Sequence, residues 1–70
     1  MYIVFEMQTN GESTAIVPPT VKADLPHAQQ AFYTACAAAA VSDVEQHTVM
    51  LVYSNGNVIE SKSFDHREAE

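Results

Sequence analysis

The side chains of this 70-residue chain that are able to do chemistry are three histidines, nine acids, three tyrosines, one cysteine and three basic residues. Their spacing limits what that chemistry is. His27, His47 and His66 lie in three separate stretches, and none has a second ligand at the i,i+4 spacing of a helix or the i,i+2 spacing of a strand. They read as solvated or capping residues, and no metal site is expected. Cys36 sits in Thr-Ala-Cys-Ala-Ala with no Lys, Arg or His within a helical turn, so it reads as a small buried hydrophobe rather than a reactive thiol. No Walker loop, dinucleotide-binding glycine motif, His-Glu-x-x-His or Cys-x-x-Cys occurs. With no nucleophile and base identifiable as a set, the chain is expected to be non-enzymatic and to need no cofactor.

Glu6 is the most telling acid. It falls inside an alternating apolar segment and shares a face with Gln8. A carboxylate in that position lies at a sheet rim, is paired, or belongs to a site. Tyr2, Glu6, Gln8 and Tyr53 together would give a ligand site at a subunit interface. The rings supply stacking area, and the carboxylate and amide fix orientation.

The elements that must position these residues follow from periodicity and punctuation. Residues 2–9 alternate, with Ile3, Phe5 and Met7 on one face and Tyr2, Val4, Glu6 and Gln8 on the other. Asn10-Gly11 predicts a type I′ hairpin turn, and the returning strand starts at Ser13. Pro18-Pro19 is expected to stop that strand at Val17, with Thr20 to Ala23 a connection or an extension of an edge strand past a bulge. Asp24 is a predicted N-cap and Pro26 fits the first turn of a helix from Leu25 to about Val41. Leu25, Ala28, Phe32, Cys36 and Ala39 form its apolar stripe. A third strand from about His47 to Ser54 is apolar on both faces, Asn55-Gly56 predicts a second type I′ turn, and a fourth strand runs from Val58 to about Phe64. The fold class is therefore α+β: a ββαββ chain forming a four-stranded antiparallel sheet of order 2-1-3-4, with one helix on one face. Residues 1–64 make a single domain, and 65–70 form a charged, frayed tail.

One helix leaves one sheet face bare. Val4, Tyr2 and one set of third-strand residues, either Val49, Leu51 and Tyr53 or Met50 and Val52, are expected on the bare side, a contiguous apolar patch that a second copy would cover. The last helical turns, with Ala37, Ala38, Ala40 and Val41, carry no long polar side chain and admit close approach of another helix. Val4, Ala37, Ala38, Ala40, Val41, Met50 and Val52 are thus the expected oligomer interface. Size points the same way. A domain this small gains only about 3–5 kcal/mol from its own core, and a single cysteine forms no internal disulfide.

The formal net charge is −6, with 3 Lys+Arg against 9 Asp+Glu. That composition excludes a phosphate-binding track, so no nucleic-acid partner is expected. It also disfavours an anionic nucleotide ligand. The apolar runs are too short to span a bilayer. The opening residues lack a basic n-region and a small-residue cleavage site, so a cytoplasmic location is expected.

The opening Tyr2-Ile3-Val4-Phe5-Glu6-Met7-Gln8-Thr9-Asn10, the block Ala37-Ala38-Ala39-Ala40-Val41-Ser42, His47 before an apolar strand, and the ending Phe64-Asp65-His66 resemble a family of small uncharacterised proteins encoded in prophage regions of gut bacteria. The resemblance implies a phage or mobile-element origin in a bacterial host cell and no particular chemistry. Two roles fit that origin. One is an accessory protein that binds a host or phage protein. The other is a counter-defence protein that sequesters a small nucleotide-derived ligand at a subunit interface.

Overall fold

The computed structural model describes residues Met1 to His66. Strands β1 (Tyr2–Asn10) and β2 (Ser13–Lys22) form a hairpin, helix α1 (Leu25–Ala40) follows, and β3 (Gln46–Tyr53) and β4 (Val58–Asp65) form a second hairpin. The four strands make one antiparallel sheet in the order β2-β1-β3-β4. This is the predicted α+β architecture. It arises because the two most apolar strands, β1 and β3, pair in the centre, where both edges of each are hydrogen-bonded to a neighbour.

α1 begins where the sequence signals place it. Asp24 has extended backbone (φ −123°) and its side chain accepts from the His27 backbone N–H, while proline occupies the first turn. The helix ends with Val41 and Ser42 donating to the Ala38 and Ala39 carbonyls. Its inward residues Ala28, Phe32 and Ala39 join Val4, Val49 and Leu51 in the core.

β2 does not stop at Pro18-Pro19. It runs on to Lys22 past a bulge, where β1 advances from Val4 to Glu6 while β2 retreats from Thr20 to Val17. β2 is an edge strand, so a proline there leaves no ladder bond unmade, and the bulge absorbs the extra residue.

The turns differ in type from the expectation, although Gly11 (φ +66°) and Gly56 (φ +97°) both have positive φ. No asparagine does, and a type I′ turn needs two positive φ values. In the first hairpin Asn10 pairs with Ser13, so Gly11-Glu12 forms the loop and positive φ falls on its first residue, the type II′ arrangement. In the second, Gly56 N–H donates to the Tyr53 carbonyl (2.8 Å) and Tyr53 N–H to the Asn57 carbonyl (2.8 Å). That is a three-residue loop in which a tight turn is followed by a left-handed glycine. Gly11→Val and Gly56→Val are each expected to lower stability by about 1–2 kcal/mol, because nothing crowds either position but an L side chain is strained there. Urea titration of the two variants measures this.

The largest correction concerns which sheet face α1 covers. Val4 is 5% exposed and Tyr2 packs against the core, so both lie under the helix rather than on the bare side. The β1–β3 register sets Val4 beside Leu51 and Glu6 beside Val49 on the covered face, and Phe5 beside Met50 and Ile3 beside Val52 on the open one. Both faces of β1 are apolar enough to be a core, so alternation does not choose between them. The choice falls to the short Ala23-Asp24 connection, which swings α1 over the face carrying Val4, and to the alanines that let α1 sit close against its modest side chains.

The fourth strand runs one residue past its expected end at Phe64. Asp65 closes β4, and the His66 backbone N–H donates to the Glu45 carbonyl (2.6 Å). The remainder of the expected tail, residues 67–70, lies outside the described residues.

Candidate functional site

Under the C-terminal half of α1, the covered face carries a polar cluster. Register places Gln8 beside His47, with Glu6 two residues along β1 on the same face. The His47 side chain is 2% exposed and that of Glu6 14%. His47 Nδ1 is hydrogen-bonded to Glu6 Oε2, and Gln8 Nε2 donates to the same oxygen (3.3 Å). The imidazole is thereby held with its Nδ1–H on the carboxylate. His47 Nε2 is buried and has no hydrogen-bond partner among the described residues. The His66 ring stands edge-on to it, with centroids 5.9 Å apart, and donates through Nε2 to the Ala39 carbonyl (2.9 Å). Glu45 binds the other side of this end, its Oε1 accepting from the Gly11 N–H (2.9 Å).

A carboxylate orienting an imidazole is half of many catalytic sets. Here the free nitrogen faces neither solvent nor a hydroxyl or thiol partner, and among the described residues no group of three or more His, Cys, Asp or Glu side chains is placed to hold a metal ion. The pair therefore acts as a clamp that joins β1 to β3 beneath α1. Sequence spacing missed it, because Glu6 and His47 are 41 residues apart and meet only through the β1–β3 register.

The four expected ligand residues do not converge. Tyr2 and Tyr53 pack edge-to-face, centroids 5.1 Å apart, at one end of the β1–β3 pair. Glu6 and Gln8 lie toward the other end, with Val4 and Leu51 filling the space between. Glu6 and Gln8 are committed to His47 and to each other. Of the expected interface residues, Val4 is in the core, Met50 and Val52 are on the open sheet face, and Ala37, Ala38, Ala40 and Val41 are exposed on α1.

A cleft of about 400 Å³ runs between α1 and β2, lined by Thr20, Lys22, His27, Gln30, Thr34 and Ala38 among others. It exists because one helix, about 10 Å across, does not cover four strands spaced about 4.8 Å apart. Beside the lining residue His27, Asp24 Oδ2 lies 2.7 Å from His27 Nδ1. The hydrogen bond from the His27 side chain holds the Asp24 carboxyl below its usual range. A carboxyl depressed by folding contributes stability above its unfolded pKa and loses it as pH falls through the folded value. The His27 amide is accordingly expected to keep its cap to a lower pH than an unpaired aspartate would allow, as amide chemical shifts against pH would record.

On the far flank of α1, Tyr33 Oη donates to Glu60 (3.2 Å), whose charge raises the phenol's pKa. Burial pushes the Cys36 thiol up, so it stays protonated at neutral pH, in keeping with a packing role.

The open sheet face is the other notable surface. β1 contributes Ile3, Phe5 and Met7, and β3 contributes Thr48, Met50 and Val52. The register adds Val21 and Ile16 from β2 and Ser61 and Ser63 from β4, with Ile59 by alternation. Ile16 is 65% and Val21 52% exposed. No helix of the described residues is long and apolar enough to cross a membrane. Comparison with protein-family models, curated proteins and solved structures finds no match.

Proposed function

We propose that this chain is a non-enzymatic binding protein whose working surface is the open face of its sheet. The observation that supports the reading is the composition of that face. Eight apolar side chains, Ile3, Phe5, Met7, Ile16, Val21, Met50, Val52 and Ile59, stand there without a covering layer. Among the described residues the core buries six apolar side chains, two of them alanines, and six more pack partly against them. An apolar sheet face of this extent beside so small a core suits a surface that another protein covers. The resemblance to prophage-encoded proteins suits an accessory protein that binds a host or phage protein in the bacterial cytoplasm.

Methionine oxidation tests the reading. Met7 and Met50 lie on the face, while Met1, 56% exposed, sits at its rim beyond the end of β1 and serves as the peripheral reference. In an extract of the producing cells, Met7 and Met50 are expected to oxidise much more slowly than in the diluted, purified chain, with the rim residue Met1 affected far less. Equal rates in extract and in dilute solution would remove the face from the function.

The cleft supports a second reading, sequestration of a small ligand. Its volume suits a small molecule, and Lys22, His27, Gln30 and Thr34 offer polar contacts without a carboxylate among the lining residues. On this reading a nucleotide-containing ligand screen raises the melting temperature, and Lys22→Ala abolishes the shift.

A further inference from the structure

We infer that the occupant of the open face is a second copy of this chain, the two sheets stacked face to face with both helices outside. The inference rests on the reading of that face as a protein-contact surface and names its partner.

Charge makes the first argument. The chain carries −6, so two copies repel unless they meet where charge is absent. The register puts Glu6, Glu60, Lys22 and Lys62 on the helix-covered side, with Glu12 in the hairpin turn and Asp24 at the helix cap. On the open face the middle is uncharged, and Asp65 stands at its corner opposite Gln46. A partner selected by complementary charge would find nothing there to recognise. A partner with an equally uncharged, apolar, flat sheet face fits, and the chain itself supplies one. Stacked sheets sit about 10 Å apart, and the carboxylates on the outer sides are then farther apart than the screening length of about 8 Å at physiological salt.

Area makes the second argument. Four strands about 4.8 Å apart, each about eight residues long at about 3.3 Å per residue, present a face of about 500 Å² in projection. Two such faces bury about 1,000 Å² together before the relief of the side chains is added, which reaches the floor a specific interface must clear. A hairpin or helix from another protein laid across the face would leave part of it wet, whereas a second sheet of equal width covers all of it.

Geometry locates the centre. Phe5 and Met50 face each other across the β1–β3 boundary, midway along both strands. In a two-fold sandwich they lie nearest the axis, so each chain's Phe5 and Met50 pack against those of the other. Interfaces concentrate their energy in such central, desolvated anchors, and aromatic and methionine side chains are enriched there.

The test is the mass of the full chain by native mass spectrometry and light scattering at micromolar concentration. The wild type is expected at twice the 7.7 kDa chain mass. Phe5→Lys and Met50→Lys are each expected to give a monomer with the wild-type circular dichroism spectrum, since neither side chain contributes to the core. Ala38→Glu, on the exposed flank of α1, is expected to remain a dimer. A wild type that stays monomeric overturns the inference. So does a dimer that survives both lysine variants, or one that Ala38→Glu alone dissociates. If the lysine variants fail to fold, the wild type decides by itself: Met7 and Met50, far more than the rim residue Met1, must become faster to oxidise as the pure protein is diluted, in step with the loss of dimer mass. A monomer in pure solution combined with protection of Met7 and Met50 in cell extract would leave the contact-surface reading standing and remove the second copy. Absence of protection in both would remove the contact-surface reading as well.

Discussion

Glu6→Ala is expected to cost about 3–5 kcal/mol, because it leaves the His47 imidazole buried with neither nitrogen satisfied. A single domain of this size has about that much stability in total, so the variant should be largely unfolded at room temperature. Glu6→Gln keeps a carbonyl oxygen for the Nδ1–H and should lose markedly less. The joint replacement Glu6→Leu with His47→Leu removes both polar partners, and apolar residues in place of a buried pair are often neutral. Its stability should exceed what the two single losses add up to, and a double-mutant cycle in urea measures the difference. A Glu6→Ala protein that melts with the wild type would show that the pair holds nothing together. The same experiment separates the two roles considered for Glu6. A ligand-orienting carboxylate would leave the free fold unchanged, whereas a clamp residue would not.

The second large effect contrasts two neighbours in sequence. Leu51 is fully buried beneath α1, while Met50 points to the open face. Leu51→Ala is expected to destabilise the isolated chain by about 2–5 kcal/mol, the usual range for emptying a buried leucine site. Met50→Ala, at a half-buried position outside the core, should cost the dilute chain markedly less, about 1 kcal/mol or below. Thermal melts of both variants at low concentration check the contrast. A reversed order would mean that α1 covers the other face, and every assignment built on the β1–β3 register would move with it.

Much of the local structure was legible because local chemistry decides it. Asp24 with Pro26 fixes where α1 starts, and the 3–4 spacing of Leu25, Ala28, Phe32, Cys36 and Ala39 fixes which of its sides turns inward. Gly11 and Gly56 fix where the chain reverses. The unusual apolarity of β1 and β3 places them in the middle of the sheet, which gives the strand order. Local signals were less decisive about the type of each turn. Asn-Gly fits several hairpin geometries, and the one adopted is the one that keeps the register of the whole ladder while leaving asparagine at negative φ.

The candidate site was legible only in pieces. Glu6 stood out as an acid inside an apolar strand, and the alternatives of rim, pair or site were the right ones, but the partner that settles the matter is 41 residues away. His47 looked solvated because spacing along one element is blind to a neighbour across a sheet. Tyr2 and Tyr53 did come together, and Glu6 and Gln8 did, but the two pairs fell at opposite ends of the same face because Val4 and Leu51 claim its centre.

What the sequence determined by itself is the set of elements, their order in the sheet and the excess of apolar surface over what one helix covers. Each of these follows from periodicity, turn residues and composition, which are properties of short segments or of simple totals. What only the tertiary structure decided is which face of the sheet α1 covers, and with it the fate of every residue on β1 and β3. A strand with two apolar faces carries no sign of which is inside. A two-residue connection and the packing of alanines against Val4 and Leu51 settle it, and they thereby bury Glu6 with His47 and leave Phe5 and Met50 facing out.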